Sequence, residues 1–224
     1  MRLFLRNNSL TLVFTVLFLG ALLGQSLAGW KLFNEGQLAH DSPTISYARY
    51  LVTSHFGEAV IENWQSEYLQ FTCFIFATVW LVQRGSNESK KPEEAGLESD
   101  AQQLTGGHAQ QNSPAWAKLG DWRTAIYSNS LLIVMGLLFL GSWFAQSVTG
   151  WTEYNSEQRD HDESGVSWAG YVTRPDFWEK TLQNWQSEFL AVATMAIFTV
   201  YLRQRGSPES KPVGAPHNQT ASSG

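Results

Sequence analysis

The sequence predicts an all-α integral membrane protein with four transmembrane helices, arranged as two tandem, parallel two-helix repeats. Three observations support this prediction: the apolar residues are concentrated in four blocks, one half of the chain repeats the other, and basic residues are unevenly distributed among the polar segments. The 43% hydrophobic content of the 224 residues would alone fit a soluble protein. The four blocks lie at residues 10–23, 68–82, 131–145 and 189–202.

The repeat is clearest in the motif Asn-Trp-Gln-Ser-Glu, which occupies residues 63–67 and returns 121 residues later at 184–188. The same shift relates many other positions without a gap, so we interpret the chain as a duplicated unit. Further matches are Asn8 with Asn129, Gly29-Trp30 with Gly150-Trp151, His40-Asp41 with His161-Asp162, and Arg84-Gly85-Ser86 with Arg205-Gly206-Ser207.

The domain organisation follows from the blocks and the repeat. The polar segment between the repeats has hardly any large apolar side chain, so it is predicted to be disordered, as is the tail. Short helices are expected in the two external loops. The predicted boundaries are repeat 1 at 1–86 (spans about 9–28 and 64–83, external loop 30–63), a linker at 87–121, repeat 2 at 122–207 (spans about 130–149 and 185–203, external loop 151–184) and a tail at 208–224.

The first apolar block also has the layout of a secretory signal, with Arg2 and Arg6 before it and a small-residue cleavage position after Ala28. Its counterpart in the second repeat has the same layout in the middle of the chain, where no signal peptide can be cleaved. Because two copies of one unit are expected to insert alike, we predict that the first span is retained.

The distribution of lysine and arginine predicts the orientation. The two external loops, counted through the glutamate of each motif, hold only five of the fifteen basic residues but thirteen of the twenty acids. The other ten basic residues lie in the N-terminus, in the segment from Arg84 to Arg123 and in the chain from Arg203 onward, so both termini are predicted to be cytoplasmic. Tryptophans stand at the outer end of each span, as in an aromatic belt: Trp30, Trp64, Trp151 and Trp185.

The repeated motif is the first candidate functional site. One interpretation is a pair of membrane-embedded carboxylates, Glu67 and Glu188, that bind a cation or relay a proton. The favoured alternative is that these acids lie at the outer headgroup level and set the depth of the second helix in each repeat, because both stand at the ends of their apolar blocks. The candidate residues are Asn63, Trp64, Glu67, Asn184, Trp185 and Glu188.

The external loops contain a second, weaker candidate. Four polar residues recur there with spacings that a short helix would place along one side. A histidine and aspartate from each copy could bind a divalent metal such as zinc, but neighbouring side chains diverge on a helix, and a solvated acidic face is the favoured interpretation. The cluster comprises Asn34, Gln37, His40 and Asp41, with Asn155, Gln158, His161 and Asp162.

Small residues spaced four apart on the first and third spans predict close packing of helices, within a protomer or between protomers. They are Gly20 and Gly24, with Gly141 and Ala145.

The chain has no catalytic motif that nominates a nucleophile, a phosphate-binding loop or a metalloprotease helix. The net charge of -5 and the lack of a basic run argue against nucleic-acid binding. We therefore expect a non-enzymatic structural or interaction protein without a cofactor, whose partners are the lipid bilayer and either further copies of itself or another membrane protein. The alternative is an oligomeric channel or transporter for ions or small solutes.

Several strings in the chain resemble a family of bacterial integral membrane proteins classified as domain of unknown function 6766. The resemblance extends over nearly the whole chain except the linker, and it implies a setting in the bacterial inner membrane. The family has no assigned activity, substrate or catalytic residue to transfer. The strings are Arg-Asn-Asn-Ser-Leu at 6–10, Gly-Gln-Ser-Leu-Ala-Gly at 24–29, Asn-Trp-Gln-Ser-Glu-Phe-Leu at 184–190 and Arg-Gln-Arg-Gly-Ser-Pro-Glu-Ser-Lys-Pro at 203–212.

Overall fold

The computed structural model describes residues 1–220, apart from the side chain of Arg2. Within that range the chain forms eight α-helices and no strand, which confirms the all-α prediction. The helices are α1 (Arg2–Asn7), α2 (Ser9–Ala39), α3 (Tyr47–Tyr50), α4 (Ser54–Ala77), α5 (Trp122–Ser128), α6 (Ser130–Asp160), α7 (Trp168–Tyr171) and α8 (Pro175–Tyr201).

The helices α2 and α6 are long and apolar enough to cross a membrane. Each contains 31 residues, about 46 Å at the usual rise per residue, and leucine, a good helix former, recurs through their first halves. Most of their large apolar side chains are exposed. Over the described residues, α4 and α8 are not apolar enough to count as membrane spans by the same measure of length and composition, because polar and acidic residues interrupt their first halves. Length and composition therefore support two spans, and four remain a prediction.

The helices do not share the boundaries predicted for the spans. Helix α2 continues to Ala39, well into the predicted external loop. Helix α4 begins at Ser54, ten residues before the predicted span, and ends at Ala77. Its early start has a local cause, since the hydroxyl of Thr53 accepts a hydrogen bond of 3.2 Å from the backbone N–H of Phe56, as a helix-capping residue does.

The chain divides into two compact units, and each takes residues from both predicted repeats. Unit 1 contains residues 1–60 and 149–166. Unit 2 contains residues 61–148 and the chain from residue 167 onward.

Unit 1 is built around Tyr50, which is 1% exposed. Its ring centroid lies 5.4 Å from that of Phe56 and 5.7 Å from that of Phe33, and its hydroxyl lies against Gly29, where a Cβ atom would find no room. Burial raises the pKa of Tyr50, and the charge of Glu153 adds to the rise. The aromatic cluster fixes α3 against the end of α2.

Two side chains of α2 hold the loop that follows it. The indole of Trp30 donates to the backbone oxygen of Ile45 at 2.8 Å. The amide of Asn34 donates to that same oxygen at 3.0 Å and accepts from the N–H of Ile45 at 2.8 Å. These bonds satisfy the backbone groups of a chain that has left the helix and must turn back toward it.

Helix α6 makes the same three contacts 121 residues later. Trp151 donates to the backbone oxygen of Val166 at 2.7 Å, and Asn155 both donates to that oxygen at 2.9 Å and accepts from the N–H of Val166 at 2.7 Å. Helix α6 begins and ends 121 residues after α2, and α7 does so after α3.

Unit 2 buries Tyr171, Phe177 and Val200, all at most 6% exposed, together with several hydroxyl groups. Its segment between α4 and α5 forms turns and three short 3-10 helices, Pro92–Glu94, Gly106–His108 and Ala115–Lys118. Lys90 and Glu98 form an ion pair of 2.8 Å there. The predicted disorder of the linker remains a prediction.

Candidate functional site

The two copies of the repeated motif lie inside helices, not at their ends. Residues 63–67 belong to α4 and residues 184–188 to α8, and each copy begins nine residues after the first residue of its helix. Pro175 opens α8 with a backbone already suited to the first helical turn, which explains why this helix starts well before the motif. More than two turns of helix therefore precede each motif.

Two strong hydrogen bonds join the copies. The indole N–H of Trp185 donates to the side-chain oxygen of Gln65 at 2.8 Å. The side-chain amide of Asn184 donates to a carboxylate oxygen of Glu62 at 2.7 Å. A hydrogen bond to a charged group is roughly twice as strong as a neutral one, so Glu62 is a firm anchor for α8.

The glutamates of the two motif copies, Glu67 and Glu188, lie near the hydrogen bonds that join α4 and α8. The hydroxyl of Ser66 lies 3.5 Å from a carboxylate oxygen of Glu188, at the long limit of a hydrogen bond. Glu67 is close enough for its charge to act on Glu188. Glu67 and Glu188 therefore belong to the same pair of helices that Trp185 and Asn184 connect, near enough for the charge of Glu67 to influence Glu188.

The two copies differ in burial. Gln65 and Ser66 are 0% and 1% exposed, whereas their counterparts Gln186 and Ser187 are exposed. Within the described chain, the side-chain nitrogen of Gln65 is buried and has no hydrogen-bond partner. The contact therefore uses one face of α4 and a different face of α8.

Aromatic rings pack around Trp185. Trp143 of α6 lies 5.7 Å from Trp185 and Phe139 lies 6.2 Å from it, measured between ring centroids. Trp143 also stacks on Phe177 at 6.1 Å. The Trp185 indole, which donates to Gln65, therefore also packs against aromatic side chains of α6.

Two residues of the site were not predicted from the sequence. Glu62 corresponds to Gln183 in the other copy, and Trp143 corresponds to Leu22. The motif was recognised from positions that match between the copies, so positions at which the copies differ were not considered. The available hint was Glu62, an acid directly before the first copy of the motif, where the second copy has Gln183.

The external polar cluster separates into different roles. Asn34 and Asn155 bind loop backbone, as described above. His40 and His161 are exposed, and Asp41 and Asp162 adopt left-handed backbone angles, with φ of 54° and 56°, where the chain leaves α2 and α6. Among the described residues no three His, Cys, Asp or Glu side chains converge as metal ligands.

The small residues of the first and third spans have open space beside them. A Cβ atom built on Gly20, Gly24 or Gly141 would meet no atom within 4 Å in the described chain. The prediction that these residues pack against other helices, within a protomer or between protomers, remains a prediction.

Comparison with known proteins places the chain in one family. No curated protein and no solved structure matches it. The sequence profile of one family matches residues 1–222, and that family is the one the strings of the sequence resemble. The chain belongs to the family described as domain of unknown function 6766.

Proposed function

We propose that this chain is a multi-pass protein of the bacterial inner membrane, in which two tandem two-helix repeats form a non-enzymatic structural or interaction module. The observation that carries the proposal is the contact between the motif copies. The polar groups of Trp185 and Asn184 are used in binding Gln65 and Glu62. Groups that are committed to joining two helices are suited to assembly more than to chemistry.

The exposed apolar surfaces of α2 and α6 support membrane insertion. Contiguous apolar side chains cover these helices, and a soluble monomer rarely exposes so large an apolar surface. The lipid bilayer would cover them. We propose that α4 and α8 cross as well, which their 24 and 27 residues permit, with the polar side chains of the motif turned toward each other.

Duplication of the two-helix unit is supported by the loop contacts. Trp30 and Asn34 bind Ile45 as Trp151 and Asn155 bind Val166, atom for atom. With two crossings per unit, the copies would share one orientation, and the basic residues of the linker and tail would hold both termini in the cytoplasm.

Cysteine labelling tests the proposed topology. Cys73 is the single cysteine, so a Cys73→Ala chain is a background without thiols. In intact cells a membrane-impermeant maleimide should label Lys31→Cys but not Leu97→Cys, whose position is 81% exposed in the linker. Both should react after lysis. If only Leu97→Cys were labelled in intact cells, the proposed orientation would be wrong and both termini would lie outside the cytoplasm.

One observation favours a second function, transport of a cation or proton. The charges of Glu67 and Glu188 interact, and paired acids inside a membrane commonly mark an ion path. Purified protein in proteoliposomes should show no proton or cation flux above empty vesicles if the module is structural, and Glu188→Gln should leave that result unchanged. A wild-type flux that Glu188→Gln abolishes, with insertion intact, would establish transport and overturn the structural proposal.

A further inference from the structure

Two loops of unit 2 share a sequence that the proposed function does not use. Residues 83–90 read Gln-Arg-Gly-Ser-Asn-Glu-Ser-Lys, and residues 204–211 read the same except for proline at the fifth position. Each of these segments, the arginine loops, follows the second long helix of its repeat, α4 or α8. The run of matches is longer than the motif Asn-Trp-Gln-Ser-Glu.

Both arginine loops begin with the same tight turn. In each, the N–H of the first serine donates to the backbone oxygen of the glutamine, at 3.0 Å in the first loop and 3.2 Å in the second. The glycine before that serine has a φ of 87° in the first loop and 85° in the second, as the third residue of a type II β-turn requires. The arginine is thus the second residue of the turn, at its outer corner. The turn residues are Gln83, Arg84, Gly85 and Ser86, and Gln204, Arg205, Gly206 and Ser207.

Other hydrogen bonds hold the loops without the arginines. The second serine of each loop accepts a hydrogen bond from the N–H of the glutamine, Ser89 at 2.8 Å and Ser210 at 2.9 Å. The lysines are engaged within the protein as well. Lys90 pairs with Glu98 at 2.8 Å, and Lys211, which is 3% exposed, donates to backbone oxygens of the tail. The shared fold of the loops therefore depends on their glutamine, glycine and serine residues.

Arg84 and Arg205 are exposed, and the fold gives them no partner. Within residues 1–220, neither guanidinium group forms an ion pair or a hydrogen bond. The acids of the two loops, Glu88 and Glu209, hydrogen-bond to each other. A cation that recurs in both copies without an internal contact is free to bind a ligand. The planar N–H groups of a guanidinium match the oxygens of a phosphate group.

The residues before each arginine indicate where such a phosphate would lie. Trp80 and Tyr201 stand four residues before the arginine of their loop, at equivalent positions of the two copies, and both are exposed. An exposed leucine follows each of them, Leu81 or Leu202. Tryptophan and tyrosine favour the boundary between the hydrocarbon and the headgroups of a bilayer. An arginine that follows such an anchor closely would lie at the level of the headgroups.

We infer that the arginine loops bind the headgroup phosphates of anionic phospholipids, with Arg84 and Arg205 as the phosphate ligands. The inference rests on the proposed membrane insertion of α4 and α8, and it adds a lipid class and two binding residues. Anionic lipids give the cytoplasmic surface a negative potential that attracts basic side chains next to a membrane span. A zwitterionic headgroup carries its own cation beside the phosphate, so the loops should prefer an anionic one. The second loop also surrounds an open depression of about 590 Å³ that Arg205 lines, within the size range of small-molecule sites.

Native mass spectrometry of the full chain in detergent tests the inference, with phosphatidylglycerol and phosphatidylcholine of equal chain length as probes. The wild type should bind phosphatidylglycerol at least about tenfold more tightly than phosphatidylcholine. Arg84→Gln/Arg205→Gln should remove most of this preference and should unfold at the wild-type temperature, because neither guanidinium has an internal contact to lose. The matched control, Lys118→Gln/Arg123→Gln, removes the same charge from the same proposed side of the membrane and should keep the preference.

Equal affinity of the wild type for the two lipids, or an equal loss of preference in the control variant, would overturn the inference. Inorganic phosphate that displaces phosphatidylglycerol at equal concentration would assign the arginines to free phosphate and overturn it as well. Alkaline carbonate treatment of the wild type in phosphatidylcholine vesicles separates the inference from the proposed function, which requires that the protein stay in the vesicles. A protein that stays there but lacks the lipid preference would overturn the inference alone, whereas a protein that is extracted would overturn both.

Discussion

Trp185 donates its indole N–H to Gln65, a residue that is fully buried, while the counterpart of Gln65 in the other copy, Gln186, is exposed. A repeated sequence has thus produced a contact that is not symmetric. The same side chain is a buried acceptor on α4 and a surface residue on α8. This difference provides a built-in control for each test of the motif.

Gln65→Ala should destabilise the protein, and Gln186→Ala should not. The first change leaves the part-buried Trp185 N–H without its acceptor and opens a space where the fully buried Gln65 side chain was, which costs about 1–3 kcal/mol for the unpaired donor alone. The second removes an exposed side chain from a helix, where changes usually stay within about 0.5 kcal/mol. Thermal unfolding of both variants in the same detergent measures the difference. Equal unfolding temperatures would contradict a role for the contact.

Gly29→Ala should destabilise unit 1, because the new methyl group would meet the hydroxyl end of Tyr50. Tyr50 is 1% exposed and enclosed by rings, so it has little room to move aside. Overpacking of this kind costs about 1–3 kcal/mol. Gly36→Ala on the same helix meets nothing within 4 Å and should gain up to about 1 kcal/mol from helix propensity. Relative to wild type, the unfolding temperature should fall in Gly29→Ala and rise in Gly36→Ala.

Asn34→Ala and Asn155→Ala should have matching effects, since each asparagine makes the same pair of bonds to loop backbone. Each change leaves the backbone N–H of Ile45 or Val166 without its side-chain acceptor. Hydrogen exchange at that amide should accelerate in the mutated copy and stay unchanged in the other. His40→Ala/His161→Ala, which alters exposed side chains at the ends of the same helices, should leave both amides protected.

The fold was predictable where the pattern is local, and the site was predictable only in part. Periodic apolar blocks and a constant shift identified α2, α6 and the motif. The partner of Asn34 was not predictable, because it depends on where the chain turns back after Asp41. Trp143 was not predicted as part of the site, because the first copy has Leu22 at the corresponding position. Its role depends on the packing of α6 beside α8, where it contacts Trp185.

The tail should detach from the linker as pH rises, because of a contact between two glutamates 121 residues apart. Burial raises the pKa of Glu88, and the charge of Glu209 and its hydrogen bond to Glu88 raise it further. The folded state therefore holds a proton that the unfolded state releases near the ordinary glutamate value of 4.5. This contribution to stability is complete below that value and is lost as pH rises toward the raised pKa.

Other charged groups near this contact are engaged elsewhere, so the glutamate pair should dominate its titration. Lys211 donates to backbone oxygens, including those of His217 and Gln219, and Lys90 pairs with Glu98. Hydrogen exchange at residues 204–212 should therefore accelerate between pH 4.5 and neutrality beyond the intrinsic increase. Glu88→Gln keeps a neutral hydrogen-bonding side chain and should abolish the extra acceleration. Glu93→Gln, an exposed acid of the same linker, should preserve it, and a profile that Glu88→Gln leaves unchanged would assign the pH dependence to another group.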